Sequence, residues 1–139
     1  MPTTAHPAFS FVLEHPAAEP AAAERHFRSK LAVETDPADV HQDLERGHSG
    51  IVVVDTRSPD AYARCHVRGA INLPTRTIGP ETTGALSRDK VIVTYCWGPG
   101  CNGSTKAAAT LAALGFRVKE MIGGIDYWRR EGLPVDGTD

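Results

Sequence analysis

The sequence predicts an α/β fold, an open parallel β-sheet flanked by helices on both faces, with an extra N-terminal helix. Three observations carry that prediction. From residue 51 onward, short apolar runs alternate with helix-forming stretches, the pattern of a parallel sheet covered on both sides. The strongest runs, Ile51-Val52-Val53-Val54 and Val91-Ile92-Val93-Thr94-Tyr95, are β-branched and almost continuous. At 139 residues, with 41% hydrophobic and 23% charged side chains, the chain has the balance of one ordinary globular domain.

In chain order, residues 1–20 hold four prolines, Pro2, Pro7, Pro16 and Pro20, and show no periodicity, so the chain begins as an arm. From Pro20 the segment AAAERHFRSKLAVE is rich in helix formers, with Phe27 and Leu31 spaced by four, and predicts a helix docked on the domain. The arm and helix occupy residues 1–30 and the domain proper residues 31–139. A short strand near residues 31–34 precedes a second helix opened by Asp36-Pro37, with Val40 and Leu44 on one face and Gly47 as its stop. After the strand at 51–54 come a short helix from Ser58-Pro59 to Ala63, a weaker strand at 70–73 and the strong strand at 91–95. A helix from Ser104 to Leu114 is closed by Gly115, a last strand is expected at 118–122, and Ile125 to Arg130 forms the final helix, stopped by Gly132.

Composition narrows the function classes. Fifteen basic against seventeen acidic side chains give a formal charge of -2, no field to hold a phosphate backbone, so nucleic acid is not an expected partner. The first ten residues carry neither a basic leader nor an apolar core, and no apolar run is long enough to span a membrane. The expectation is a cytoplasmic protein without a membrane partner. Three cysteines, Cys65, Cys96 and Cys101, are too few and odd in number for a disulfide framework and direct attention to thiol chemistry.

Ligands of an open parallel sheet bind beyond the carboxyl ends of its strands. The junction VIVTYC-WGPGCNGS-TKAAATLAALGF places Cys96 there, before a helix. Gly98, Gly100 and Gly103 permit positive φ and close backbone approach, so the turn can aim amides inward as an anion nest. Together with the helix N-terminus, such a nest favours a thiolate and a nucleophilic Cys96. Trp97 is expected to wall the pocket. Cys101 is open to three readings: a resolving thiol, a second acceptor thiol, or an incidental loop residue. Cys65 reads as structural, and the Cys and His spacing, Cys65-His66 included, is not that of a zinc site, so no metal is expected. Asp55 and Arg57 can bind substrate, but an ion pair that fixes loop geometry is the preferred reading, and the same holds for His66. Trp128 and Tyr127 are expected to pack the last helix, and Gly123-Gly124 to make a tight strand-to-helix turn.

The segments IVVVDTRSPDAYARCHVRGAINLP, VIVTYC and GFRVKEMIGGIDYWRREGLPV, in that order, resemble a rhodanese domain over roughly residues 31–135. The resemblance implies that Cys96 takes a sulfane sulfur from a small donor as a persulfide and passes it to a thiol or cyanide acceptor, with no cofactor. It implies a substrate-binding loop of Trp97, Gly98, Gly100, Cys101, Asn102 and Gly103, with Asp55, Arg57 and His66 in support. Here the segment from Cys96 to Ser104 is about two residues longer than the family's usual loop and holds no Lys or Arg, which predicts weak thiosulfate binding. The related dual-specificity phosphatases need an Arg where Asn102 stands, which disfavours phosphatase or arsenate chemistry. A non-catalytic interaction or sulfur-carrier module is the alternative reading, and a homodimer through the N-terminal helix is a further expectation.

Overall fold

A computed structural model describes residues 8–139; the beginning of the expected arm, residues 1–7, lies outside the described residues. The chain divides into a unit that ends at Lys30 and a second unit of Leu31–Asp139. A 3-10 turn at Val12–Glu14 and helix α1, Pro20–Val33, make up most of the described N-terminal part. No residue of α1 is buried, and Phe27 and Leu31 both stand exposed.

The second unit is built on five parallel strands: β1 Glu34–Thr35, β2 Ile51–Asp55, β4 Ile71–Asn72, β5 Val91–Tyr95 and β6 Arg117–Met121. Their order across the sheet is β1-β6-β5-β2-β4, which makes β5 the central strand. Helices α2 (Pro37–Glu45), α3 (Pro59–Arg64), α4 (Gly103–Ala113) and α5 (Gly124–Arg130) connect them. Asp36 caps α2 by accepting from the Asp39 amide at 2.9 Å, and Ser58 caps α3 by accepting from Ala61 at 3.2 Å. The proline after each cap needs no amide partner in the first turn.

Successive residues of β2 and β5 point to opposite sides of the sheet, and each side has its own core. Val53, Val93, Tyr95 and Met121 pack with Val40 of α2 and with Ile125 and Trp128 of α5. On the other side Val54 and Ile92 pack with Leu111 of α4 and with Leu73 and Phe116. Each fully buried aliphatic or aromatic side chain contributes roughly 1.5–3 kcal/mol, so the sheet is clamped from both faces.

Several boundaries differ from the sequence reading for local reasons. Helix α1 runs on to Val33, so β1 begins only at Glu34, and the weak run at 70–73 yields only the two residues of β4. The last strand begins one residue early, at Arg117, in parallel register with β5. A second small sheet was not anticipated: β3 (His66–Val67) pairs antiparallel with β7 (Val135–Asp136). Two-residue strands carry no periodic signal. No helix among the described residues is long and apolar enough to cross a membrane.

Candidate functional site

All five strands of the main sheet are parallel, so their carboxyl ends share one edge. Cys96 follows the central strand at that edge and is buried. The loop after it is held from two sides. On one side, the first turn of α5 donates to it: Ile125 N–H to the Cys96 carbonyl at 3.0 Å and Asp126 N–H to the Trp97 carbonyl at 2.9 Å. The turn that makes this possible is Gly123-Gly124, both at positive φ (+85° and +61°), the tight strand-to-helix turn expected there. On the other side, Thr75 donates its hydroxyl to the Gly103 carbonyl at 3.0 Å.

Within the loop, Cys101 N–H donates to the Gly98 carbonyl at 3.0 Å, closing a turn that brings Cys101 back over Cys96, and the two cysteines form a disulfide. A Cβ on Gly103 would lie 3.1 Å from the Cys96 Sγ and 3.5 Å from the Cys101 Sγ, so the missing side chain makes room for the sulfur pair. The Gly103 N–H lies 3.5 Å from the Cys101 Sγ. One expectation is corrected here: Gly98, Gly100 and Gly103 do not adopt positive φ, and the left-handed glycines of the site are Gly123 and Gly124 on the neighbouring turn. Of the three, Gly103 serves by size, whereas a Cβ on Gly98 would make only ordinary contact with Asp126 at 3.4 Å and one on Gly100 would meet nothing within 4 Å.

A cleft of about 630 Å³ opens at this edge and reaches Cys96, Gly98, Gly100, Cys101 and Asn102. Its wall carries Asp36, Glu120 and Glu131, and among the described residues no Lys, Arg or His lines it. Glu120, which sequence reasoning missed, accepts from the hydroxyls of Ser104 at 2.5 Å and Thr105 at 2.7 Å, tying the end of β6 to the first turn of α4. The available signal was its place at the carboxyl end of a sheet strand, where ligands bind. Tyr127, expected to pack the last helix, instead lines the cleft at 42% exposure, while Trp128 is buried as expected.

Trp97 is not among the residues that line the cleft. Its ring lies under the Arg57 guanidinium at 4.5 Å, and that cation–π contact turns it outward. Gly103 is likewise behind the sulfur pair and not on the cleft wall. Asp55 and Arg57 form a fully buried ion pair at 2.8 Å. The Asp55 carboxylate also accepts from the Arg57 amide at 2.9 Å and the Tyr95 hydroxyl at 2.7 Å. Burial would lower the Arg57 pKa, but the hydrogen bond and charge of Asp55 hold it above its ordinary value; burial first and then Asp55 push the Tyr95 phenol upward. Both groups keep their ordinary protonation, so the network acts as a strut between the loop after β2 and the residue preceding Cys96. His66 stacks on Tyr62, and its Nδ1 lies 2.7 Å from the Tyr62 carbonyl, which anchors β3 away from the cleft wall.

The Rhodanese-like domain model matches residues 36–131. Thiosulfate sulfurtransferase GlpE of Pseudomonas entomophila is 38% identical over 82 residues, covering 58% of this chain and 72% of that protein. The HTH-type transcriptional regulator Rv0324 of Mycobacterium tuberculosis is 35% identical over 94 residues, covering 67% of this chain and 41% of the regulator. Among solved structures, the BH2092 protein of Bacillus halodurans is 56% identical with a TM-score of 0.85, covering 86% of this chain and 88% of that one.

Proposed function

Because the chain belongs to the rhodanese-like domain family, we propose that it is a sulfurtransferase that carries sulfane sulfur as a persulfide on Cys96. The observation that carries this reading is the position of Cys96, at the carboxyl end of the central strand and on the wall of the cleft. The Cys96 thiolate attacks the outer sulfur of a donor, the rest of the donor leaves with the bonding electron pair, as a thiolate from a persulfide or as sulfite from thiosulfate, and a thiol or cyanide then removes the sulfur. The Asp55–Arg57–Tyr95 strut and the amides of Ile125 and Asp126 fix the loop, so the nucleophile is positioned before the donor arrives.

Intact-mass measurement on the reduced chain tests this. Treatment with a low-molecular-weight cysteine persulfide should add one sulfur atom to the chain, and Cys96→Ser should add none. An adduct that survives Cys96→Ser places the chemistry elsewhere and sinks the reading.

Charge on the cleft wall favours one donor class. Asp36, Glu120 and Glu131 face it, and the nearby cation Arg57 is committed to Asp55, the Cys65 carbonyl and the Trp97 ring. A dianionic donor such as thiosulfate meets carboxylates with no cationic side chain among the described lining residues. Its kcat/KM should fall below that of a cysteine persulfide by roughly 10–100-fold at low salt, and the gap should narrow as salt screens the repulsion. Saturation at low thiosulfate concentration, or a gap that widens with salt, would contradict this assignment.

Similarity to part of a transcriptional regulator favours a second reading, an interaction or sulfur-carrier module. In that case the Cys96 persulfide still forms, but turnover with excess donor and acceptor thiol stays at a single equivalent of sulfur.

A further inference from the structure

Sulfur transfer through Cys96 leaves the second loop cysteine without a role, yet the fold brings the two sulfurs into bonding contact. Three features produce that approach. The turn closed by Cys101 N–H to the Gly98 carbonyl reverses the chain, the Cα atoms of Cys96 and Cys101 stand 6.4 Å apart, and Gly103 offers no Cβ to separate the sulfurs. The spacing of the Cα atoms is within the range that admits a bridge without backbone rearrangement. Cys101 is half-buried on the cleft wall whereas Cys96 is buried, so a thiol entering the cleft meets Cys101 first.

We propose that Cys101 is a second catalytic residue, which resolves the Cys96 persulfide to sulfide and a Cys96–Cys101 disulfide and makes the chain a dithiol-dependent persulfide reductase. This rests on the persulfide reading above. In the first step the Cys96 thiolate bonds to the outer sulfur of a persulfide donor, the donor's S–S bond breaks, and the donor leaves as a thiol. In the second, the Cys101 thiolate attacks the Cys96 Sγ, the bond from Sγ to the outer sulfur breaks, and hydrosulfide leaves. The outer sulfur gains two electrons, and the two cysteine sulfurs lose one each. No other oxidant is consumed. The cycle closes when an external dithiol attacks Cys101, forms a mixed disulfide and expels the Cys96 thiolate; the second thiol of that reductant then frees Cys101.

Gly103 N–H, directed at the Cys101 sulfur, favours the thiolate that this second attack requires.

The test is a single turnover. Reduced chain is mixed with one equivalent of a cysteine persulfide, quenched with iodoacetamide over time, and assayed for sulfide and intact mass. Wild type should release close to one sulfide per chain, protect two thiols from alkylation and yield a crosslinked Cys96–Cys101 peptide. In Cys101→Ser the added sulfur should persist roughly tenfold longer or more, with no prompt sulfide, and Cys101→Ala should behave alike. Equal persulfide lifetimes in wild type and both variants, without the crosslinked peptide, overturn the resolving role and leave the transfer reading standing. Failure of Cys96 to accept sulfur in all three proteins overturns both.

Discussion

Asp55→Ala should destabilise the domain by about 3–5 kcal/mol, the range for removing one partner of a buried ion pair. Both side chains are out of solvent, at 0% exposure for Asp55 and 2% for Arg57. The carboxylate takes bonds from the Arg57 side chain, the Arg57 amide and the Tyr95 hydroxyl, and its loss leaves a buried guanidinium with the Cys65 carbonyl as its remaining hydrogen-bond acceptor. Urea unfolding of wild type and variant gives the difference directly. The paired change of Asp55→Leu with Arg57→Met should recover much of the loss, because it removes both charges instead of stranding one. A cost under about 1 kcal/mol for Asp55→Ala would put the pair in the class of exposed ion pairs and remove it as the strut behind Cys96.

That strut was legible in part. Asp55 and Arg57 stand two apart after a β-branched strand, and an ion pair fixing loop geometry was the expected role; what joins them to the nucleophile is Tyr95, forty residues away from Asp55, whose partner no local pattern discloses. The main sheet was legible for a similar reason. Strands β2 and β5 are continuous apolar runs because both of their faces are buried, and a run of that kind has few other uses. The β3–β7 pair was not, since two residues on each side leave no period to read. The cleft wall divides along the same line. Gly98, Gly100, Cys101 and Asn102 are contiguous with Cys96 and were read with it, whereas Asp36, Glu120 and Glu131 come from three separate segments and meet only in the folded chain. Trp97 escaped because its direction is set by Arg57, across the loop, and not by its place beside the nucleophile. The five-residue spacing of Cys96 and Cys101 is compatible with contact or separation, and the turn from Gly98 to Cys101 decides it.

Gly124→Ala should damage stability and sulfur transfer together, and the comparison with Gly132→Ala separates the two causes. Gly124 has φ of +61°, and a Cβ there would lie 2.5 Å from the Cys96 carbonyl oxygen, 2.7 Å from the Trp97 carbonyl carbon and 2.8 Å from the Gly98 nitrogen. These are backbone atoms of the loop, so no side chain can turn aside to admit it. Either α5 or the loop must retreat, which stretches the bonds from Ile125 to Cys96 and from Asp126 to Trp97. A left-handed alanine costs about 1–3 kcal/mol and overpacking a further 1–3, for an expected loss of roughly 2–5 kcal/mol. Gly132 has φ of +72° with nothing within 4 Å of its Cβ position, so Gly132→Ala carries the conformational penalty without the collision. It should lose about 1 kcal/mol and keep its persulfide-forming rate. Moving Cys96 by an ångström should lower the rate of Gly124→Ala by about 10²-fold in protein that remains folded at the assay temperature. Thermal unfolding and single-turnover persulfide formation, measured on both variants, supply the comparison. Matching melting temperatures and matching rates would show that the loop does not depend on its close approach to the α5 turn, and the positioning of Cys96 would then have to come from the Asp55 network and the Thr75 bond to Gly103.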